Sequence, residues 1–348
     1  MKKARDILFF SLLCLIIWGL ISNSKTISRE ILSSLKLWAT VLIPSLFPYL
    51  VISGYIVQKG FPPFFKPLKK LISRVFNISY PSSEVFLCSL LCGYPCGGIC
   101  ASDIYEKGLI DKKEAQRLIC FTNGASPVFL ICAVGGVMTG STGLGILMYA
   151  VQTLSSIIIG IILGMSCKKL HCKESKNYTY INTPSLTECC EKSVSTIVNI
   201  AGYIVVATSL GEIILYILSL LFGYSQPLKY AVYYLIEISK SMKLLSQYSS
   251  SDIVFSLMCA CASFGGVSVI FQIFGVINKS LKTPGIIISR FSGAILSFML
   301  GFAVKNLVKT DILNINPTVP LVVSLLFSVI IFVCFIFKKK KTGYPINE

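Results

Sequence analysis

The chain has 348 residues, of which 54% are hydrophobic and only 14% are charged, and its mean hydropathy is +0.76. Soluble domains carry roughly 25% charged residues, so this composition excludes an ordinary soluble fold and indicates a polytopic membrane protein. The net charge of +17 does not indicate nucleic-acid binding, because the lysines and arginines lie between apolar runs, where the positive-inside rule places them.

The first apolar run follows the N-terminus, in MKKARDILFFSLLCLIIWGLISNSK. It has the basic and apolar regions of a signal sequence but no small-x-small cleavage site, so we expect an uncleaved membrane anchor. Apolar runs predict spans over 7–22, 35–57, 114–138, 143–166, 193–221, 284–304 and 318–337. The basic and aromatic stretch 61–77 predicts a helix that lies on the cytoplasmic surface of the bilayer.

Residues 84–105 are apolar at both ends, but their centre reads GYPCGG over 93–98. Glycine and proline are poorly tolerated inside a straight helix. We therefore expect a re-entrant hairpin whose turn presents free backbone N–H groups at the start of its second helix, where partial positive charge attracts anions. A kinked span, or close helix packing through the small residues, is the alternative.

A second interruption, FTNGASP at 121–127, divides one of the predicted spans. Pro127 cannot donate to the helical hydrogen-bond ladder, whereas Thr122, Asn123 and Ser126 carry side chains that form hydrogen bonds. Facing the hairpin turn, these three side chains would form a neutral polar lining for a substrate. The simpler interpretation is that they cap the broken helix, and both roles are compatible.

The second half of the chain follows the polar loop 167–190 and repeats the pattern of the first half. Residues 251–279 again have apolar flanks around a broken centre, SFGG, which predicts a second hairpin. The span after it contains ISRFSGA at 288–294, as the earlier one contains FTNGASP. The stretch 230–248 is only moderately polar, and its position relative to the membrane is left open.

The two halves predict an all-α polytopic membrane protein of about seven to eight transmembrane helices with two re-entrant hairpins in an inverted repeat, as in many secondary transporters. The predicted domains are an N-terminal signal-anchor span (1–30), a first repeat (31–166), a cytoplasmic polar loop (167–190), a second repeat (191–337) and a basic tail (338–348). One observation disagrees: seven crossings put the KKKK of the tail outside, against the positive-inside rule. Making 230–248 a span brings the tail inside but removes the symmetry.

Charged side chains within membrane segments are rare and therefore informative. Arg117 and Arg290 precede the two interruptions at comparable places and would together neutralise a carboxylate substrate, since arginine binds carboxylates through two hydrogen bonds. Alternatively, they snorkel to the interface or pair with nearby carboxylates. Glu212 and Glu237 are the acidic counterparts, and Glu237 is a candidate for proton or cation coupling if 230–248 lies in the membrane.

Catalysis and metal binding have little support in the sequence. It contains no P-loop, HExxH or GxSxG motif and only one histidine, so we expect no enzyme and no cofactor, and transport would be secondary or facilitated unless a partner supplies energy. Most of the 14 cysteines lie in apolar runs, where a thiol behaves as a small hydrophobe. A zinc site in the polar loop is the less favoured alternative to a solvated loop with reduced thiols, because paired CxxC spacing is missing. Its ligands would be Cys167, His171, Cys172, Cys189 and Cys190.

The interruptions and the two arginines define the candidate substrate site, between the two broken segments. The candidate substrate-binding residues are Gly93, Tyr94, Gly97, Gly98, Arg117, Thr122, Asn123, Ser126, Pro127, Ser263, Gly265, Gly266, Ser268, Gln272 and Arg290. No metal-binding or catalytic residue is predicted.

Several motifs resemble a known family. The runs that carry the resemblance are PSLFPYLVIS (44–53), GYPCGG (93–98), KGLIDKKEAQRLICFTNGASPVFL (107–130), SFGGVSVIFQ (263–272) and ISRFSG (288–293). They resemble YlbJ-type sporulation integral membrane proteins, over about residues 30–300. This family is grouped with the Gate or nucleoside-recognition domains, which look related to concentrative nucleoside transporters. The resemblance therefore implies two Gate-like repeats with re-entrant hairpins.

The resemblance also implies a function in endospore formation in a Firmicute, where members are linked to moving dipicolinic acid across the outer forespore membrane. The expected location is the mother-cell membrane around the forespore. The expected partners are the lipid bilayer, a small organic anion and other sporulation membrane proteins, with no nucleic acid. The family's Glu-x-(Ser/Thr)-Asn-Gly type of motif is not matched, because the chain reads EISKS at 237–241.

Two alternatives to an organic-anion permease stay open from the sequence. A transporter of nucleosides or another small metabolite would use the neutral polar lining of Thr122 and Asn123. A non-transporting scaffold that recruits spore-assembly proteins would instead use the loop 167–190 and the interfacial helix.

Overall fold

The computed structural model describes residues 2–59, 65–166 and 185–307, and within these ranges the chain forms helices and no strand. The α-helices are α1 (Lys2–Ser22), α2 (Ser24–Leu37), α3 (Ile43–Lys59), α4 (Lys66–Phe76), α5 (Tyr80–Cys92), α6 (Cys96–Glu106), α7 (Lys112–Phe121), α8 (Thr142–Met165), α9 (Leu186–Phe222), α10 (Gln226–Ile236), α11 (Ile238–Ser246), α12 (Asp252–Phe264), α13 (Gly266–Val276) and α14 (Pro284–Leu307). Trp38–Leu42 and Phe129–Met138 are π-helical, and Lys279–Leu281 is a 3₁₀ turn. The predicted all-α fold is confirmed.

Several helices are long and apolar enough to cross a membrane, so the chain is an integral membrane protein. Within the described ranges there are five such segments, Ser24–Ile52, Thr142–Met165, Leu186–Phe222, Asp252–Val276 and Pro284–Lys305, and a sixth if α4 and α5 form one bent span. The apolar part of α1, Phe9–Ser22, is shorter. The predicted span 318–337 and the basic tail lie outside the described residues.

The helix predicted to lie on the membrane surface corresponds to α4. It meets α5 at an angle of 100°, which suits a surface helix followed by one that enters the bilayer. Ile72 and Phe76 are buried on one side, whereas Leu71 is exposed. Lys69 forms an ion pair with Glu84 of α5, with 2.5 Å between Nζ and Oε1. The position of α4 on a membrane stays a prediction.

Two breaks interrupt the helices of the first half, and the sequence explains where they fall. α5 ends at Gly93, whose φ of 67° is a conformation that favours glycine. Pro95 then precedes the first residue of α6, where a missing N–H is harmless. The other break follows α7, because residues 122–126 are not helical and the chain resumes a helix at Pro127.

Two further breaks interrupt the second half. The stretch 230–248 forms neither one span nor one surface helix, because the extended backbone of Glu237 separates α10 from α11. α12 and α13 are separated by Gly265, whose φ is 79°. A Cβ atom on Gly266 would lie 2.9 Å from the carbonyl oxygen of Ile236. The break at Glu237 therefore packs against the break at 265–266.

Each half of the chain has two breaks that pack against each other. The α5–α6 break packs against residues 122–126, as the α10–α11 break packs against 265–266. The internal repeat, its inversion, its pairing of GYPCGG with SFGGVS and its re-entrant hairpins stay predictions.

The broken segments lie inside a shell of intact helices. In an apolar stretch of 18 residues within Asp252–Val276, 78% of the residues are buried, and α12 packs along α14 and α8. α14 presents Ile288, Ile295 and Met299 outward, with 63%, 65% and 64% of each exposed, as lipid-facing side chains are. Enclosing the breaks is a physical requirement, because hydrocarbon cannot satisfy non-helical backbone.

Candidate functional site

The turn between α5 and α6 is hydrogen-bonded to the break that follows α7. The backbone N–H of Tyr94 donates to the carbonyl of Gly124 at 2.7 Å. The N–H of Gly98 donates to Oδ1 of Asn123 at 3.0 Å, and Asn123 Nδ2 donates to the carbonyl of Ile119 at 2.8 Å. Asn123 thus joins the start of α6 to the end of α7.

The same contact leaves no room for side chains at two of the predicted glycines. A Cβ atom on Gly97 would lie 2.0 Å from the carbonyl oxygen of Thr122. A Cβ on Gly93 would lie 2.5 Å from the backbone nitrogen of Ser126. Only glycine allows the two backbones to approach this closely.

Gln152 of α8 is a member of this site that the sequence prediction missed. Its Oε1 accepts the N–H of Ala125 at 2.9 Å, and its Nε2 donates to the carbonyl of Ala125 at 3.0 Å. Both polar groups of a buried, non-helical residue are thereby satisfied. The sequence could have identified Gln152 as a site residue, because it is a polar residue in the middle of an apolar span.

The polar side chains of FTNGASP are engaged within the break. Thr122 Oγ1 donates to the carbonyl of Leu118 at 2.8 Å, and Ser126 Oγ accepts the N–H of Phe129 at 3.2 Å. The interpretation as helix caps therefore describes Thr122, Asn123 and Ser126 well. The expectation of free N–H groups at the start of α6 is wrong for Gly98, and also for Cys96, which donates to the carbonyl of Gly93 at 3.0 Å.

A cavity of about 50 Å³ lies between the two halves. Its polar lining includes Tyr94 and Ser126 from the first half and Glu237 and Gln272 from the second. Glu237 is 2% exposed, and its carboxylate accepts the N–H groups of Ser239 and Lys240 at the start of α11. Oε1 of buried Gln272 has no hydrogen-bond partner in the structure. We call this space the Glu237 cavity.

A smaller cavity of about 20 Å³ contains Arg290, and we call it the Arg290 cavity. Arg290 is 6% exposed, and its Nη1 donates to the carbonyl of Ser263 at 2.9 Å. Its Nη2 is buried without a hydrogen-bond partner. Asn123 also lines this cavity, so the structure brings predicted residues of both halves together here.

Other predicted residues lie apart from these cavities. Arg117 lines neither; its Nη2 donates to the carbonyl of Asn77 at 2.6 Å, and its buried Nη1 has no hydrogen-bond partner in the structure. The pairing of the two arginines around one anion stays a prediction. Pro127 begins the helix after the break. Ser268 is buried on α13, and its Oγ has no partner in the structure.

The chain was expected to resemble a known family, and sequence comparison tests that expectation. It is 24% identical over 164 residues to the sporulation integral membrane protein YlbJ of Bacillus subtilis (strain 168). The YlbJ-type resemblance is confirmed. The matched residues are 47% of this chain and 40% of that relative's length. No family model matches the chain, and no solved structure matches it.

The apolar helices indicate an integral membrane protein, and the relative that the chain matches is a sporulation integral membrane protein. Of the possible zinc ligands, Cys189 and Cys190 lie in the first turns of α9, whereas Cys167, His171 and Cys172 lie outside the described residues. No group of three or more metal-ligating side chains occurs in the part of the chain that the structure describes.

Proposed function

We propose that this protein is a secondary-type permease that moves a small organic anion, dipicolinic acid by the family resemblance, across the outer forespore membrane. The proposed location is the mother-cell membrane around the forespore, and other sporulation membrane proteins are proposed as partners. The anion would bind at the Arg290 cavity, between the broken segments. The observation that supports this proposal is the environment of Arg290.

Arg290 is a buried cation without a counter-ion in the described part of the chain. Its one hydrogen bond in the structure is to a neutral carbonyl, and Nη2 has no partner. A buried charge left unpaired costs several kcal/mol, so such groups are retained where a ligand or partner completes them. A carboxylate would complete this one by accepting from the guanidinium.

The remaining polar groups of the Arg290 cavity are mostly occupied. Ser155 Oγ donates to the carbonyl of Gly293 at 3.1 Å, and Ser289 Oγ donates to the carbonyl of Ile286 at 2.8 Å. Arg290 Nη2 is therefore the donor that these contacts leave for a ligand. Tyr94, which lines the Glu237 cavity, lies near Arg290, so a ligand at Arg290 would be close to both spaces.

A neutral substrate such as a nucleoside is the second candidate, and the Glu237 cavity favours it. The carboxylate of Glu237 and the unpartnered Oε1 of Gln272 are both acceptors. They suit hydroxyl or amine donors and repel an anion.

Transport by the purified full-length chain in liposomes would distinguish the two candidates. We expect uptake of dipicolinate. Arg290→Gln removes the charged hydrogen-bond donor and should lower this uptake about tenfold or more, which corresponds to about 1.4 kcal/mol of free energy. Arg290→Lys retains the charge and should recover part of the activity. Arg74→Gln, on the exposed side of α4, is the matched control and should transport like the wild type.

Two results would contradict the anion permease. One is uptake of uridine without uptake of dipicolinate, with a loss on Glu237→Gln rather than Arg290→Gln. The other is unchanged dipicolinate uptake by an Arg290→Gln variant that is folded and monodisperse. Correctly inserted protein that carries neither compound, with or without an ion gradient, would count against a permease altogether.

A further inference from the structure

A buried cluster of charged and hydroxyl groups lies beside the α10–α11 break and lines neither cavity described above. We call it the Lys240 cluster. Its members come from four helices: Glu30 of α2, Glu212 of α9, Lys229 and Tyr233 of α10, and Lys240 of α11. The side chains of Glu212 and Lys240 are 4% and 8% exposed, and Tyr233 is completely buried.

Lys240 lies at the centre of the cluster. Its Nζ is 2.6 Å from Oε2 of Glu30 and 3.9 Å from Oε1 of Glu212. It also donates to the hydroxyl oxygen of Tyr233 at 2.6 Å. Lys229 Nζ contacts the other carboxylate oxygen of Glu30 at 3.3 Å. Two ammonium groups and two carboxylates therefore balance in charge.

A continuous hydrogen-bonded chain connects Lys240 to Glu212. Lys240 donates to the Tyr233 hydroxyl, and that hydroxyl donates to Oε1 of Glu212. Every link joins groups that exchange protons, so a proton has a direct path between the two charged ends. Charged residues at membrane depth are costly, and chains of this kind mark proton relays.

The cluster is connected to the Glu237 cavity through one helical turn. Oε2 of Glu237, which lines the cavity, accepts the backbone N–H of Lys240 at 2.7 Å. The backbone of Lys240 is thus bonded to the cavity wall while its side chain is bonded to the cluster. Any movement of the α10–α11 break changes both sets of contacts at once.

We propose that Glu212, with Tyr233 and Lys240, binds the coupling proton of transport, an inference that rests on the proposed permease function. A proton from the aqueous phase adds to the Glu212 carboxylate and is released from it again after the conformational change. The neutral acid no longer attracts Lys240, whose ion pair with Glu30 remains. Proton uptake thereby shifts Lys240, and with it the cap of α11 beside the cavity.

A metal cation is a poorer occupant of this cluster than a proton. Lys240 and Lys229 already neutralise the two carboxylates, and both ammonium groups would repel Na⁺. Glu237 lies at the α10–α11 break itself, and two other titratable groups, Cys261 of α12 and Tyr94 of the α5–α6 turn, lie near it. Replacing Glu237 and Glu212 by glutamine one at a time separates the two positions.

The transport test uses the full chain in liposomes with a pH gradient, a clamped membrane potential and an internal pH dye. Wild-type protein should accumulate dipicolinate with a matching change of internal pH. Glu212→Gln should lower this accumulation about tenfold or more and retain exchange of dipicolinate at equal concentrations, which needs no coupling. Glu188→Gln, at an exposed position of the same helix, is the control. Gradient-driven accumulation by Glu212→Gln, or accumulation driven by Na⁺ alone, would overturn the proposal.

A second measurement does not require any transported substrate, so it separates this inference from the permease function. Infrared difference spectra of the detergent-purified chain between high and low pH should show a protonated carboxylic acid that disappears in Glu212→Gln. If the wild type shows this band but does not exchange dipicolinate, the permease proposal is overturned and the proton site remains supported. Absence of the band, or its removal by Glu237→Gln instead, would refute the assignment to Glu212.

Discussion

The breaks of the two halves are built from different chemistry. In the first half, the α5–α6 turn and residues 122–126 are joined by backbone groups and the neutral side chains of Asn123 and Gln152. In the second half, Glu237 lies at one break, and Arg290 is bonded to Ser263 near the other. The first half of the site is thus neutral and closely packed, and the second carries the buried charges.

This difference suggests that the two pairs of breaks have different functions. Close glycine contacts and satisfied backbone groups make a stiff structure. Buried charges with incomplete partners respond to ligands and protons. Substitutions in the first pair of breaks should therefore lower stability, whereas substitutions of charges in the second pair should alter transport.

The largest loss of stability is expected for Gly97→Ala. The new Cβ would lie 2.0 Å from the carbonyl oxygen of Thr122, and backbone cannot move aside as a flexible side chain does. Overpacking of this kind costs about 3 kcal/mol or more, measured by thermal unfolding of the detergent-purified protein. The matched control is Gly202→Ala in α9, where a Cβ meets nothing within 4 Å. Equal melting of the two variants would show that the close contact at Gly97 does not stabilise the fold.

A smaller loss is expected for Gln152→Leu, which retains most of the volume but removes both hydrogen bonds to Ala125. Leaving a buried N–H and carbonyl unsatisfied costs about 2–4 kcal/mol in total. The control is Gln247→Leu at an exposed position after α11. If Gln152→Leu unfolds at the wild-type temperature, the hydrogen bonds from Gln152 to Ala125 do not stabilise the break at 122–126.

The smallest effect is expected in the second half, for Ser297→Ala. Ser263 and Ser297 share a hydrogen bond of 2.6 Å between α12 and α14, and its loss costs about 1 kcal/mol. Ser209→Ala is the control, because Ser209 Oγ bonds only to the carbonyl of Val205 in its own helix in the described contacts. A loss for Ser297→Ala as large as that for Gly97→Ala would remove the contrast between the two pairs of breaks.

Much of the local structure was predictable because its causes are local. Gly93, Pro95 and Gly265 end or begin helices for reasons that involve only neighbouring residues. The break at Glu237 was missed, since Ile236 and Ile238 are apolar and no glycine or proline marks the position. The interruption expected at ISRFSGA is absent, because α14 is one continuous helix over Pro284–Leu307, and Arg290 instead reaches the α12–α13 break through its hydrogen bond to Ser263. Its pairing with Arg117 stays a prediction.

By itself, the sequence determined the membrane class, the helical fold and three of the four breaks, since apolar run length and backbone freedom act over short stretches of chain. Only the tertiary structure decided which breaks meet and where the charges are buried. Lys240 and Glu30 are 210 residues apart in the chain, and Asn123 contacts the start of α6 from another helix. Such contacts depend on how helices pack in three dimensions, which no local pattern specifies.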